Sequence, residues 1–193
     1  MIIDISQEIL SCKVYPGDPT PKVEVLCDME KGDIYNLTAF SMCSHNGTHV
    51  DAPAHFLKDG KTIDQISLEY FVGDCYVAHA SGELSVVDVI RIMDAARKAG
   101  VRDRILLAGD VVVTAEAASA FAEAGIKLLG NESQSVGPED APMEVHKILL
   151  EAGVVLLEGI VLKEVEEGKY FLNAAPLNVK GCEGMACRAY LIK

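Results

Sequence analysis

Apolar and polar positions change their period part-way along the chain. Up to His79 the pattern is that of short strands: Ile2 to Ser6, Lys22 to Cys27, an alternating stretch from Ile34 to Ser44, and Cys75 to His79, with a turn at Tyr15-Pro16-Gly17-Asp18. Beyond it, helices and strands alternate. Ser85 with Asp88 three residues on is a capping-box start, and Val87, Ile90, Ile92, Met93 and Ala96 supply an apolar face that ends at Gly100. A second helix is predicted to start after Thr114 and run through Ala120 to Glu123, closing at Gly125 and followed by an apolar strand near Ile126 to Leu129. A third starts near Pro142, carries Met143, Val145, Ile148 and Leu149 on its apolar face, and stops at Gly153; it hands over to a strand from Val154 to Leu162. Two more short strands fall between Ala174 and Ile192, punctuated by Pro176 and Gly181. No linker, repeat or low-complexity segment interrupts this run, so the expectation is one mixed α/β domain over residues 1–193.

Composition narrows the function. With 193 residues, 50% of them hydrophobic and 24% charged, the chain is long and apolar enough for a real core. Lys plus Arg number 17 against 29 Asp plus Glu, a formal net charge of -12, and no basic cluster stands out. Phosphate backbones and anionic membranes are repelled by such a surface, so neither nucleic acid nor membrane is expected as a partner. The start, MIIDISQEIL, is acidic and lacks the basic region of a signal peptide. The longest apolar run, Val154 to Leu162, is broken by Glu158 and too short for a bilayer. Six cysteines without a CxxC pair, in a chain that needs no disulfide staples, read as reduced thiols of a cytoplasmic protein.

Three of the five histidines crowd into one stretch, His45-Asn46-Gly47-Thr48-His49-Val50-Asp51-Ala52-Pro53-Ala54-His55. A helix is the wrong form for it: Asp51 would project away from His49, and Pro53 would cost roughly 3 kcal/mol in a helix interior. In an extended chain the odd positions His45, Gly47, His49, Asp51, Pro53 and His55 share one face. A flat strand would still hold the His45 and His49 side-chain origins about 13 Å apart at ~3.3 Å per residue, too far for both to reach one ion at ~2 Å. The backbone must bend between them, and Gly47 lies midway.

Imidazoles beside a carboxylate suit zinc, iron or manganese and suit magnesium or calcium poorly. Further ligands are expected from elsewhere. Glu158 is a lone carboxylate in the apolar run Val154 to Leu162, where burial costs several kcal/mol unless it is paired, protonated or on a metal. His146 sits on the preceding helix, one residue off its apolar face, where the helix–strand unit can bring it to the same place. His79, without a carboxylate partner in sequence, reads as structural, and Cys43 as a small buried hydrophobe. The GxGxxG, P-loop and GxSxG patterns are absent, so nucleotide and serine-hydrolase chemistry find no support.

The run His45-x-Gly47-Thr48-His49-x-Asp51-x-Pro53-x-His55 resembles the signature of the cyclase family of metal-dependent hydrolases, whose best-known members are bacterial kynurenine formamidases. Tyr15-Pro16-Gly17-Asp18, Leu157-Glu158-Gly159-Ile160-Val161-Leu162 and Ala175-Pro176-Leu177 through Arg188-Ala189 resemble the family in the same order, and the likeness is weakest from Arg102 to Val136. The resemblance implies a compact β-barrel-like core flanked by helices, a homodimer, and two divalent metal ions, zinc or else manganese, held by His45, His49, Asp51, His146 and Glu158. Asp51 and Glu158 could bridge the ions, and His55 matches the family's catalytic histidine.

The implied reaction is hydrolysis of an amide or formamide C–N bond by a metal-activated water, with N-formylkynurenine the leading small-molecule substrate. Alternatives are a cyclic amide such as isatin, another small acyl compound, or metal binding without catalysis. Intact His55 counts against the last. Tyr15 stands where the formamidases typically carry Trp, in a chain with no Trp at all, and is expected on the substrate wall. Arg104 to Ala115 is shorter than its family counterpart, and Gly130-Asn131-Glu132 replaces Gly-x-Asp.

Overall fold

The strand patterns of the first part and the helix–strand alternation of the second meet in one sheet. The computed structural model describes residues 1–193. In chain order it contains β1 (Ile2–Asp4), β2 (Lys22–Cys27), β3 (Leu37–Ser41), β4 (His49–Asp51), β5 (Val72–His79), β6 (Gly82–Leu84), α1 (Val86–Lys98), β7 (Arg104–Ala108) and β8 (Val111–Val113). There follow α2 (Ala115–Glu123), β9 (Leu128–Asn131), α3 (Met143–Glu151), β10 (Val155–Glu158), β11 (Gly168–Asn173), β12 (Gly184–Ala186) and β13 (Tyr190–Ile192). Nine of the strands form a mixed sheet in the order β1-β13-β11-β5-β7-β9-β10-β4-β12.

Four central strands, β5, β7, β9 and β10, run parallel, joined by crossovers that carry α1, α2 and α3. Strands covered on both faces read as continuous apolar runs, and β7, β9 and β10 are buried at every residue. Alternate residues serve two cores. Ile105, Leu107, Leu129 and Leu156 meet Ile92, Phe121 and Leu149 of the helices, while Leu106, Leu128, Val155 and Leu157 face a second cluster with Val50, Leu172 and Leu191. Each such leucine contributes about 1.5–3 kcal/mol on burial.

The second cluster joins side chains from both ends of the sheet, so the sheet curls around it. Past β1 the chain crosses to the far side: the Val161 amide donates to the Ile5 carbonyl at 2.9 Å, and the Gln7 amide to Thr48 Oγ1 at 2.9 Å. The expected barrel is thus a curled open sheet whose margins are tied by single hydrogen bonds, without a ladder between β1 and β12. The short pair β2–β3 lies outside it as a separate hairpin, and β6–β8 as a parallel pair.

Several boundaries and faces differ from expectation. The alternation from Ile34 to Ser44 yields only the five residues of β3. Helix α1 keeps its Ser85–Asp88 capping box, but it buries Val89, Ile92, Met93 and Ala96, leaving Val87 and Ile90 exposed. The buried set is an i, i+3, i+4, i+7 stripe; Val87 and Ile90 belong to the opposite side. β6, β7, β8 and β11 lie outside the predicted strands: their apolar residues lack the alternation of a half-buried strand, and β6 and β8 are only three residues long. The predicted strand from Val154 to Leu162 ends at Glu158, where Gly159 turns the chain with φ of +67°. Cys43 is half-buried rather than a core residue. All six cysteines are free, and no helix is long and apolar enough to cross a membrane.

Candidate metal centre

Strand β4 is held between β10 and β12, pairing Glu158 with His49 on one side and Ala186 with His49 on the other. Period 2 turns His49 and Asp51 to one face, while Val50 enters the apolar cluster. The predicted bend occurs at Gly47, whose φ is +64°. It folds His45 back so that its ring centroid lies 5.1 Å from that of His49. Strand parity does not deliver His55. Residues Pro53–His55 form a 3-10 turn, started by Pro53 at its first position, and that turn sets the His55 ring 4.1 Å from His45. His146, expected just off the apolar face of its helix, is buried on α3 with Nε2 3.3 Å from Glu158 Oε1.

Gly47 carries this geometry. A Cβ there would sit 3.1 Å from Ile9 Cδ1 and 3.2 Å from Cys12 Cβ, in a left-handed conformation that disfavours side chains. Gly47→Ala is expected to destabilise the fold by about 1–2 kcal/mol and to lower metal uptake. Thermal melting together with metal content checks both, and unchanged values would show that the bend tolerates a side chain.

Six side chains converge. His45 Nδ1 lies 2.8 Å from Asp51 Oδ1; His49 Nε2 lies 3.5 Å from the same oxygen and 3.4 Å from Glu158 Oε2. Asp51 Oδ2 faces His146 Nε2 at 3.7 Å and His55 Nε2 at 4.0 Å. Two triads with potential ligand atoms within 4.8 Å of one another, His45–Asp51–His55 and His49–Asp51–Glu158, share Asp51. The rings of His49 and His146 are oriented from behind, their Nδ1 atoms donating to the carbonyls of Gly47 at 3.0 Å and Pro142 at 2.8 Å. That turns each Nε2 toward the carboxylates, the orientation a metal-binding imidazole needs.

The electrostatics ask for cations. Asp51 is completely buried and Glu158 is 2% exposed. Buried His49 Nε2 and Asp51 Oδ2 have no hydrogen-bond partner, a costly state for polar atoms unless an ion is their ligand. Burial opposes charge on both carboxyls, yet His45 holds Asp51 below the usual carboxylate range, and His146 and His49 do the same for Glu158. Burial likewise opposes a proton on His45, but the bonded Asp51 carboxylate overcomes it and pushes the imidazole up to about 9. His49 and His146 shift upward too, against burial, through Glu158 and Asp51. His55 moves the other way: burial and the positive charges of His45 and His146 push it down. Imidazolium charge thus occupies the role of cations around two carboxylates, and these residues fit a bound divalent metal.

A cavity of about 310 Å³ opens onto the cluster, with Tyr15, Asp18, Phe56 and Gln134 on its walls. The Tyr15 hydroxyl donates to the Glu139 carbonyl at 2.7 Å, fixing the ring on the rim. Sequence reasoning missed Gln134, whose buried amide atoms have no partner, and Glu183, 3.3 Å from His45. Neither stands in a pattern: Gln134 is one polar residue of a loop, and Glu183 becomes a neighbour of His45 only when β12 pairs with β4. His79 lies apart, its Nε2 bonded to the Val165 carbonyl at 2.7 Å, as a structural role requires. Glu132, in the altered Gly130-Asn131-Glu132 segment, accepts from the Gly109 and Leu162 amides and braces two loops.

Comparison with known proteins decides the family. The Cyclase family, described as "Putative cyclase", matches residues 3–138. The chain belongs to the cyclase family. A cyclase-family relative, the kynurenine formamidase of Erythrobacter litoralis, is 33% identical over 207 residues, covering 98% of this chain and 93% of its own. Among solved structures, a "predicted metal-dependent hydrolase" from Bacillus stearothermophilus superposes with a TM-score of 0.81 at 26% identity, covering 99% of this chain and 97% of the other. Isatin hydrolase A from Labrenzia aggregata, at 22% identity, shares the fold with a TM-score of 0.85, covering 99% and 93%. This cyclase-family chain is accordingly a metal-dependent hydrolase of amide-type C–N bonds.

Proposed function

We propose that the chain hydrolyses a formamide, with N-formylkynurenine the leading substrate, at a centre of two divalent ions held by His45, His49, Asp51, His146 and Glu158. The observation that carries this reading is the pair of buried carboxylates, Asp51 and Glu158, ringed by imidazoles, with Asp51 Oδ2 and His49 Nε2 left unpartnered. The 33% identity to a kynurenine formamidase over nearly the whole chain supports the substrate. Zinc is the expected ion for such imidazole and carboxylate donors, with manganese the alternative. Bound there, the ions supply Lewis acidity to a substrate carbonyl and to a water molecule.

The chain's own residues do the rest. Gly47 and Pro142 carbonyls keep the His49 and His146 rings in place, so the donor set is preorganised. His55 stands at the cavity with its proton affinity lowered, which leaves it neutral near pH 7 and able to take a proton from water and return it at Nε2 to the leaving nitrogen. Tyr15 and Phe56 form an aromatic wall for the substrate ring. The working protein is a cytoplasmic homodimer, each chain folding as one domain about its own centre.

Hydrolysis of N-formyl-L-kynurenine by zinc- or manganese-loaded protein tests this. A specificity constant within roughly 10⁴–10⁸ M⁻¹s⁻¹, abolished by a chelator and restored by metal, is the expected result. A negligible rate from fully metallated protein would discard this substrate and direct the assay to cyclic amides such as isatin, accommodated by a wall rebuilt around Tyr15.

A further inference from the structure

Three histidines of the proposed ligand set need one ring nitrogen tied down so that the other faces the ions. Two of them solve this with backbone carbonyls in the interior. His45 has no such carbonyl, and it is the most exposed of the three, with 17% of its side chain accessible against 1% for His49 and 4% for His146. Its Nδ1 faces Asp51 Oδ1, and its Nε2 lies 3.3 Å from Glu183 Oε1. The same oxygen accepts from Ser44 Oγ at 2.6 Å, and the Glu183 carbonyl accepts from the Ala52 amide at 2.8 Å, so Glu183 is anchored both to the residue before His45 and to the end of β4.

The next residue makes the fit close. Gly184 pairs with Asp51 across the β4–β12 ladder, and a Cβ on it would sit 2.6 Å from His45 Cε1. Strand β12 therefore offers the His45 ring a flat backbone to lie against and a carboxylate at its outer nitrogen. We infer that Glu183 is the positioning residue of His45, accepting Nε2–H so that Nδ1 is presented to the ion shared with Asp51. This rests on the two-ion reading above. An ionised acceptor also raises the basicity of the opposite nitrogen, which a carbonyl does less strongly. His45 accordingly differs from His49 and His146, which present Nε2.

Zinc titration of metal-free protein against a competing chromophoric chelator, with visible absorption of the cobalt-loaded form as a second readout, tests the assignment. Glu183→Ala is expected to weaken one of the two ions by about 10–100-fold, leave the other unchanged, and shift the cobalt absorption of the weakened site. Glu183→Gln, whose amide oxygen still accepts from Nε2–H, is expected to recover most of the loss. Glu183→Asp draws the carboxylate back by one methylene and is expected to behave like alanine, so the test survives an alanine variant that does not fold. Two ions bound by Glu183→Ala as by wild type would overturn the inference alone. Equal loss in the alanine and glutamine variants would make Glu183 a ligand and overturn the positioning role. Wild-type protein that takes up no zinc would overturn the two-ion reading and this inference with it.

Discussion

Replacing Glu158 with alanine is expected to strip the centre of metal and abolish hydrolysis. Its two oxygens face His49 and His146 at 3.4 and 3.3 Å, in a place almost closed to solvent. Losing a residue that merely orients a ligand lowers metal affinity by about 10–100-fold, so losing both donor atoms of a buried carboxylate should exceed the upper end of that range. A second effect is separable. Glu158 Oε1 also accepts from the Val136 amide at 2.7 Å, and an unsatisfied buried amide costs about 1–3 kcal/mol. Glu158→Gln keeps an acceptor for Val136 while removing the charge. Both variants should be metal-poor by elemental analysis, and the alanine variant should also melt lower. A glutamine variant with wild-type metal affinity would contradict the ligand assignment.

His55→Ala is expected to leave the metal in place and lower kcat by roughly 10²–10⁴-fold, the usual worth of a positioned acid–base group. Two observations separate His55 from the proposed ligand histidines. Its nearest carboxylate oxygen is Asp51 Oδ2 at 4.0 Å, against 2.8, 3.4 and 3.3 Å for His45, His49 and His146, and it is the one imidazole of the four whose proton affinity is lowered on balance, by burial and by the charges of His45 and His146. Because its ring packs on His45 at 4.1 Å, His55→Asn serves as a bulkier control. Metal content measured beside turnover decides: parallel loss of both in the alanine and asparagine variants would make His55 a ligand instead of a proton carrier.

Most of the site is legible in the sequence because its chemistry is local or anomalous. His45, His49, Asp51 and His55 lie within eleven residues, and Gly47 marks the one place where the chain must bend for two of them to meet. Glu158 announces itself as a charge in an apolar run, where its burial demands partners. His146 is weaker as a signal: nothing in α3 distinguishes it from a surface histidine until the helix packs. The helices and the buried strands β9 and β10 follow from caps, glycine stops and apolar runs, whereas β6, β7, β8 and β11 lack the alternation that marks a half-buried strand, although Gly109 separates β7 from β8.

The sequence by itself determined the family, the donor types and the need for a turn at Gly47, since these depend on residue identity and short-range backbone geometry. Tertiary structure alone decided which carboxylate meets which imidazole. The antiparallel register of β4 on β10 sets Glu158 opposite His49, and a slip of one residue would turn His49 and Asp51 into the core. It also decided that the barrel stays open, that His55 reaches the cluster through a 3-10 turn, and that Glu183 closes over His45. Such placements join residues more than a hundred positions apart, as with Glu183 and His45, and hydrophobic periodicity carries no information about which distant strands will pair.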